Sequence, residues 1–345
     1  MRQLFLTLIF STALLNSFGQ SIGGNSAFSF LNVPTSARAS ALGGQGIALA
    51  DSDIQLASLN PALLDSNQHH QLALHYMNYF GSVNMGAATF VHHLDSSKVT
   101  LSGGIKYLDY GKFERLDAAG VSNGNFYVSD YVAQFGAAYP MDSLWTIGGQ
   151  MQVIYNTFAQ YNSLALALDA SALYKNPKRN ITAALTVSNL GYQVNTFTSD
   201  VRDSLPLNIQ MSFTKTLRHA PFRFVVTADN LQQWDLTYND PNNSVTVDPI
   251  TGETSGGTKF EFGDRLMRHM ILGGELLLSQ NFQVRFGYNY RRRQELKVNS
   301  KPGTAGISFG LGMRIKRFNI TYGRATYHLA GASNHFSIAT AIGKS

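Results

Sequence analysis

"NFQVRFGYNY", Asn281 to Tyr290, puts Phe282, Val284, Phe286, Tyr288 and Tyr290 on one face of an extended chain and Gln283, Arg285, Gly287 and Asn289 on the other. Successive side chains of a strand point to opposite faces, so this is a period-2 segment. The same alternation recurs in "LWTIGGQMQVIYN", where Trp145, Ile147, Met151, Val153 and Tyr155 oppose Thr146, Gln150, Gln152 and Asn156. It recurs again in "LNIQMSFT" from Leu207 and in "AGISFGLGMR" from Ala305. The polar faces carry Gly, Ser, Thr, Asn and Gln with few acids, and helix-period segments that would cover the apolar faces are missing. Strands of this kind fit a wall with lipid on one side and a polar lumen on the other.

Composition agrees. Charged residues make up 14% of the chain, against roughly 25% in soluble domains. Polar residues interrupt every apolar stretch after the N-terminus, so no later segment reads as a membrane helix. In lipid each backbone N–H and C=O must be paired within the protein, and without helices the solution is a closed barrel. Strands are placed starting near Gln71, Asn84, Lys98, Asp130, Leu144, Ser163, Asn180, Leu207, Phe222, His269, Asn281, Ala305, Arg317 and His335. The fold class is therefore all-β: an antiparallel transmembrane β-barrel over 71–345 with about fourteen strands, an even number as single-chain bacterial barrels have. Short connections ("LDSS", "PMDS", "KNPKR", "LRHAP", "SQ", "IKR") alternate with a set that is mostly long (Tyr110–Ser129, Gly191–Pro206, Leu231–Arg268, Arg291–Thr304, Tyr327–Asn334), in which only the connection after the first strand and the Thr157–Asn162 connection are brief. Outer-membrane barrels have short periplasmic turns and long outside loops, which predicts both termini in the periplasm.

The first residues, "MRQLFLTLIFSTALLNSFGQ", have the basic start, apolar core and small residues of a secretory signal, expected to be cut between Gly19 and Gln20 (signal 1–19). The chain has no cysteine, so disulfides, thiolate metal sites and a lipidated N-terminal cysteine are excluded. The net charge of +6 is too diffuse to imply nucleic acid.

Residues 20–70 form the one compact non-strand segment, read as a hatch. "GGQG" at Gly43, Gly44 and Gly46 lacks the Lys-Ser/Thr of a P-loop and reads as a turn. Asp51 and Asp53 lack the Gly and bidentate Glu of a calcium loop and read as helix-start residues, Asp53 capping "IQLASL". Asn60 caps a second turn with Pro61 at its first position. Arg38 is expected to pair with lumen acids such as Asp169 or Asp229. His69-His70 and His92-His93 are read as structural or solvated, because adjacent strand residues point to opposite faces. No nucleophile elbow or zinc-protease helix occurs, so no catalytic, cofactor or metal site is assigned and no enzyme activity is expected.

Two outside segments suggest partners. Arg291, Arg292, Arg293, Lys297 and Lys301 against Glu295 make a basic patch suited to lipopolysaccharide phosphates or an acidic partner. In the longest connection, Trp234, Tyr238, Phe260 and Phe262 are candidate anchors for a protein partner.

"AFSFLNVPTSARASALGGQGIALADSDIQLASLNPALL", Ala27 to Leu64, followed by the strands, resembles the fatty-acid-transporter-like (FadL-like) barrel superfamily through "SARASALGG", "ALADSD" and "NPALL". With "FLNVPTSAR" it looks more closely like the PorQ-type barrels of the Bacteroidota type IX secretion system, relatives of PorV. The resemblance implies a monomeric barrel with a lumenal hatch that holds a PorZ-like surface protein, in a complex with the sortase PorU and with PorV that attaches cargo to lipopolysaccharide. The competing expectation is a FadL-type channel for hydrophobic small molecules. "IATAIGKS" departs from general barrel pattern in lacking a terminal aromatic.

Overall fold

The computed structural model describes residues 28–197, 202–237, 246–247, 254–255, 261–296, 303–328 and 331–342. Sixteen strands are numbered in chain order: β1 Gln71–Asn78, β2 Asn84–Leu94, β3 Val99–Leu116, β4 Ser122–Pro140, β5 Trp145–Phe158, β6 Tyr161–Asn176, β7 Ile181–Asn195, β8 Asn208–Thr216 and β9 Phe222–Ala228, then β10 Thr246–Val247, β11 Thr254–Ser255, β12 Met270–Leu276, β13 Phe282–Asn289, β14 Ile307–Ile315, β15 Phe318–His328 and β16 Gly331–Ala341. All except β10 and β11 form one closed antiparallel barrel, in which β9 neighbours β12 and β1 closes on β16. The strand β10 pairs with β11, within a separate unit of the chain.

Amphipathicity in the barrel is inside-out. On β14, Ile307, Phe309, Leu311 and Met313 are exposed, while on β8 it is Asn208, Gln210, Ser212 and Thr214 that are buried. A soluble protein would do the reverse; a barrel in lipid requires this arrangement. Two aromatic rows bound the apolar band. Tyr107, Tyr131 and Tyr155 are direct neighbours across β3, β4 and β5, and Trp145 meets Tyr174 at the other end of β5 and β6 with ring centroids 5.1 Å apart. Trp145 and Tyr155 are separated by about the 9–11 residues that a tilted strand needs to cross a bilayer. No described helix is long and apolar enough to cross a membrane.

Strand starts fall close to the sequence positions with one clear exception. The segment Tyr110–Ser129 is not a loop: β3 and β4 run on to Leu116 and from Ser122, leaving only a tight turn between them. Aromatic contacts hold the extension together: Phe113 and Phe126 stack at 5.4 Å across the hairpin and Phe126 meets Phe158 at 5.6 Å. Tyr327–Asn334 is likewise mostly strand, since β15 reaches His328 and β16 begins at Gly331.

The described part of the hatch, 28–70, lies within this wall. Its α-helix α1, Ala37–Ala41, packs on β13 to β16, a 3-10 turn at Ile54–Leu56 on β1, β2 and β16, and another at Pro61–Leu63 on β4 to β6. Contacts on opposite sides of the strand order place the segment in the lumen. Apolar clusters join it to inward-facing wall residues: Leu42, Ile47, Leu49 and Leu56 with Leu173 and Val225, and Phe28 and Phe30 with Met77, Leu108 and Ile154.

Candidate functional site

Local chemistry shapes the hatch before the wall receives it. The Ser36 hydroxyl accepts from Ala39 N and caps α1. The small side chains of "ARASA" then let α1 lie directly on the wall, where Ala37 N donates to Ser337 Oγ at 3.0 Å and Gly43 N to Ser308 Oγ at 2.9 Å. Gly43 (φ +92°) and Gly44 (φ +106°) turn the chain in the left-handed region. Close approach also fixes the wall: a Cβ at Gly287 would overlap the backbone of Leu42 and Gly43. Gly46 packs against Leu49 and Leu56. Asp53 and Asn60 cap their turns as the sequence predicts, accepting from Gln55 N and Ala62 N, with Pro61 opening the second.

The lock is ionic, and its partners differ from those expected. Arg38, 3% exposed, uses every guanidinium nitrogen: Nε and Nη2 donate to Glu275 at 2.8 Å each, Nη1 and Nη2 to Asp51 at 2.9 and 2.7 Å, and Nη1 to Asp53 at 2.9 Å. Arg223 binds Asp51 and Glu275, and Arg285 binds Glu275. Three guanidinium groups thus meet three carboxylates in the lumen. Asp51 is an ion-pair partner rather than a helix-start residue. Asp169 and Asp229 do not reach Arg38. Asp169 is held by Gln150, Gln152 and Asn189 N, and Asp229 by Asn208 and Gln210, with Arg291 at 3.6 Å. Burial alone would lower the Arg38 pKa, but the charges of Asp51 and Glu275 outweigh it and raise the pKa well above its ordinary value. Burial would likewise raise Asp51, yet Arg38 and then Arg223 hold it well below the usual carboxylate range.

Elsewhere the hatch is tied by Lys106, whose Nζ donates to Phe30 O and Val33 O at 2.9 and 3.0 Å. Two cavities beside the hatch, of about 160 and 50 Å³, are polar, the larger lined by Gln55, Gln283, Arg285 and Thr321 among others. A larger apolar depression, about 600 Å³, lies among Phe135, Met151, Leu168 and Leu190, all outward-facing.

At the end of the barrel opposite the start of β1 and the end of β16, Trp234 and Phe262 come together with ring centroids 5.5 Å apart, 48% and 69% exposed. Phe262 opens a second helix, α2 (Phe262–Arg268), in which exposed Leu266 follows one turn later; Leu231 adds to the same rim. Tyr238 and Phe260 lie outside the described residues, as do Lys297 and Lys301. The three arginines belong to a helix α3, Tyr290–Glu295, capped by Asn289. They face the protein as much as solvent. Arg291 pairs with Asp229 and Glu295, Arg292 stacks on Tyr327 at 4.0 Å and reaches Gly43 O, and Arg293 donates to Gly303 O and Ala305 O.

No sequence-family model matches the chain, and no curated protein matches it in sequence. By fold it is similar to a deltaS2 mutant of the TodX monoaromatic hydrocarbon channel, at 12% identity over 89% of this chain and 97% of that one, with a TM-score of 0.50. The Pseudomonas putida toluene transporter TodX (10% identity, 88% and 95% covered, TM-score 0.46) and a Pseudomonas aeruginosa FadL homologue (10%, 88% and 97%, 0.46) are also similar. The first likeness extends over nearly the whole of both chains: the architecture is an outer-membrane-type β-barrel.

Proposed function

We propose that this barrel is a non-enzymatic adaptor: it sits in the outer membrane with both termini in the periplasm and holds a surface protein at its outer end. Within the resemblance drawn from Ala27 to Leu64, that partner is a PorZ-like protein of a type IX secretion attachment complex containing PorU and PorV. The observation that carries the reading is the rim formed by Leu231, Trp234, Phe262 and Leu266, four large apolar side chains each more than 40% exposed. Clustered aromatics with a polar surround are the composition of a protein-binding centre. Nucleic acid has no place in the reading, and lipopolysaccharide phosphates are met by the partly exposed guanidinium groups of Arg291 to Arg293.

A second reading, a FadL-type channel for hydrophobic molecules, is favoured by the fold likeness to TodX. Against it stand the small polar cavities beside the hatch and the buried ion cluster holding the hatch, neither of which suits an apolar ligand's path. Affinity purification of tagged protein from detergent-solubilised outer membranes, read by mass spectrometry, separates the two. The adaptor requires a stoichiometric surface protein whose recovery falls at least tenfold in Trp234→Ala/Phe262→Ala. Absence of any such protein, with an acyl or aromatic molecule in the lumen instead, would favour the channel.

A further inference from the structure

The rim at which β1 begins and β2 ends gathers three imidazoles. His69 and His70 do not alternate as strand residues, because they form the turn entering β1, with His70 at φ +55°. Their rings therefore stack on the same side, centroids 3.8 Å apart. His92, near the end of β2, brings its ring to 4.9 Å from His69 and 5.2 Å from His70. One nitrogen from each ring lies within 4.8 Å of the other two. Three protonated rings this close would repel one another.

We infer that His69, His70 and His92 form a binding site for a divalent transition ion of the zinc class. Imidazole nitrogen suits zinc, copper and nickel, whereas calcium and magnesium take oxygen ligands. The tautomer is already set at one ring. His69 Nδ1 accepts from His93 N at 3.0 Å, so its lone pair is free of hydrogen and the ring proton sits on Nε2. Coordination through Nδ1 exchanges that hydrogen bond for a metal–nitrogen bond. Tetrahedral zinc with bonds of about 2.1 Å places ligand nitrogens roughly 3.4 Å apart. Reaching this from 4.8 Å takes rotation of side chains that are exposed at His69 and His70 and half-buried at His92. Three ligands leave a fourth position for water or an anionic oxygen. The nearby His93 is engaged elsewhere, with Thr100 Oγ1 at 2.8 Å and Asp95 at 3.6 Å.

The test is isothermal titration of full-length protein in detergent, prepared without a histidine tag and stripped with chelator, using zinc chloride alone. The expected result is binding at one ion per chain, weakened at least tenfold by His70→Ala and by His92→Ala, and unchanged by His219→Ala in the exposed β8–β9 turn. Cobalt in place of zinc is expected to give the visible absorption of a tetrahedral nitrogen site, lost in the same variants. Absence of binding in the wild-type protein, or equal binding in His70→Ala/His92→Ala, overturns the proposal. Heat-modifiable gel mobility checks folding, and His92→Gln replaces any variant that fails it.

Discussion

Arg38 satisfies its five N–H groups with oxygens from both the hatch and the wall, and Glu275, fully buried, depends on that arrangement. Removing one partner of a buried charge network leaves uncompensated charge and costs about 3–5 kcal/mol. Arg38→Ala is therefore expected to loosen the hatch by that order while Arg223 and Arg285 still hold Glu275. Limited proteolysis in detergent, with cleavage in 28–70 and an intact barrel, measures it. Asp51 adds a pH dependence. Its pKa is lower folded than unfolded, so its contribution is complete above the ordinary carboxylate pKa of about 4 and fades as pH falls below that. Hatch protection is expected to weaken in acid below pH 4, and less steeply in Asp51→Asn. Of this cluster, the sequence pattern displays Arg38 and Arg285 as charges on polar positions but hides their meeting. Glu275 is directly opposite Arg223 on one side and Arg285 on the other. That juxtaposition requires the register of three strands, which alternation alone leaves free by any even number of residues.

Strands were the most legible elements because lipid and lumen impose opposite demands on alternate residues, a constraint each strand writes locally. "NFQVRFGYNY" shows it without any knowledge of neighbours. The β3–β4 hairpin was misplaced as a loop for the converse reason: beyond the aromatic row at Tyr107 and Tyr131 there is no lipid, so Lys112, Glu114 and Arg115 stand beside Phe113 without an apolar face to mark the strand. The facing of His69 and His70 is hidden from alternation because both lie just before β1, in a turn that stacks their rings. In the hatch, capping chemistry made the turns at Asp53 and Asn60 readable, whereas the fit of α1 against the wall was not. That fit turns on Gly287, whose missing side chain admits the backbone of Leu42 and Gly43. Gly287→Leu is expected to displace the hatch without opening the barrel wall. Planar-bilayer recording would then show conductance above wild type at unchanged heat-modifiable mobility, whereas wild-type conductance would show that the hatch accommodates the new side chain.

At the scale of the molecule, the wall is uneven. Strands β3 to β7 are 14 to 19 residues long, whereas β1, β8, β9, β12, β13 and β14 have 7 to 9, and a crossing needs only roughly 9–11. One side therefore rises past the lipid while the aromatic rim of Trp234 and Phe262 stands on the short side, giving that end of the barrel a direction. Arg38 also has a consequence in time. It joins Glu275 across 237 positions of sequence, and contacts so distant form only after the entropy of closing the intervening chain has been overcome. The hatch, synthesised before every strand, cannot lock until β12 has entered the wall beside β9 and β13. An unfinished barrel is therefore an unlocked one, and docking of the N-terminal segment reports that assembly is nearly complete.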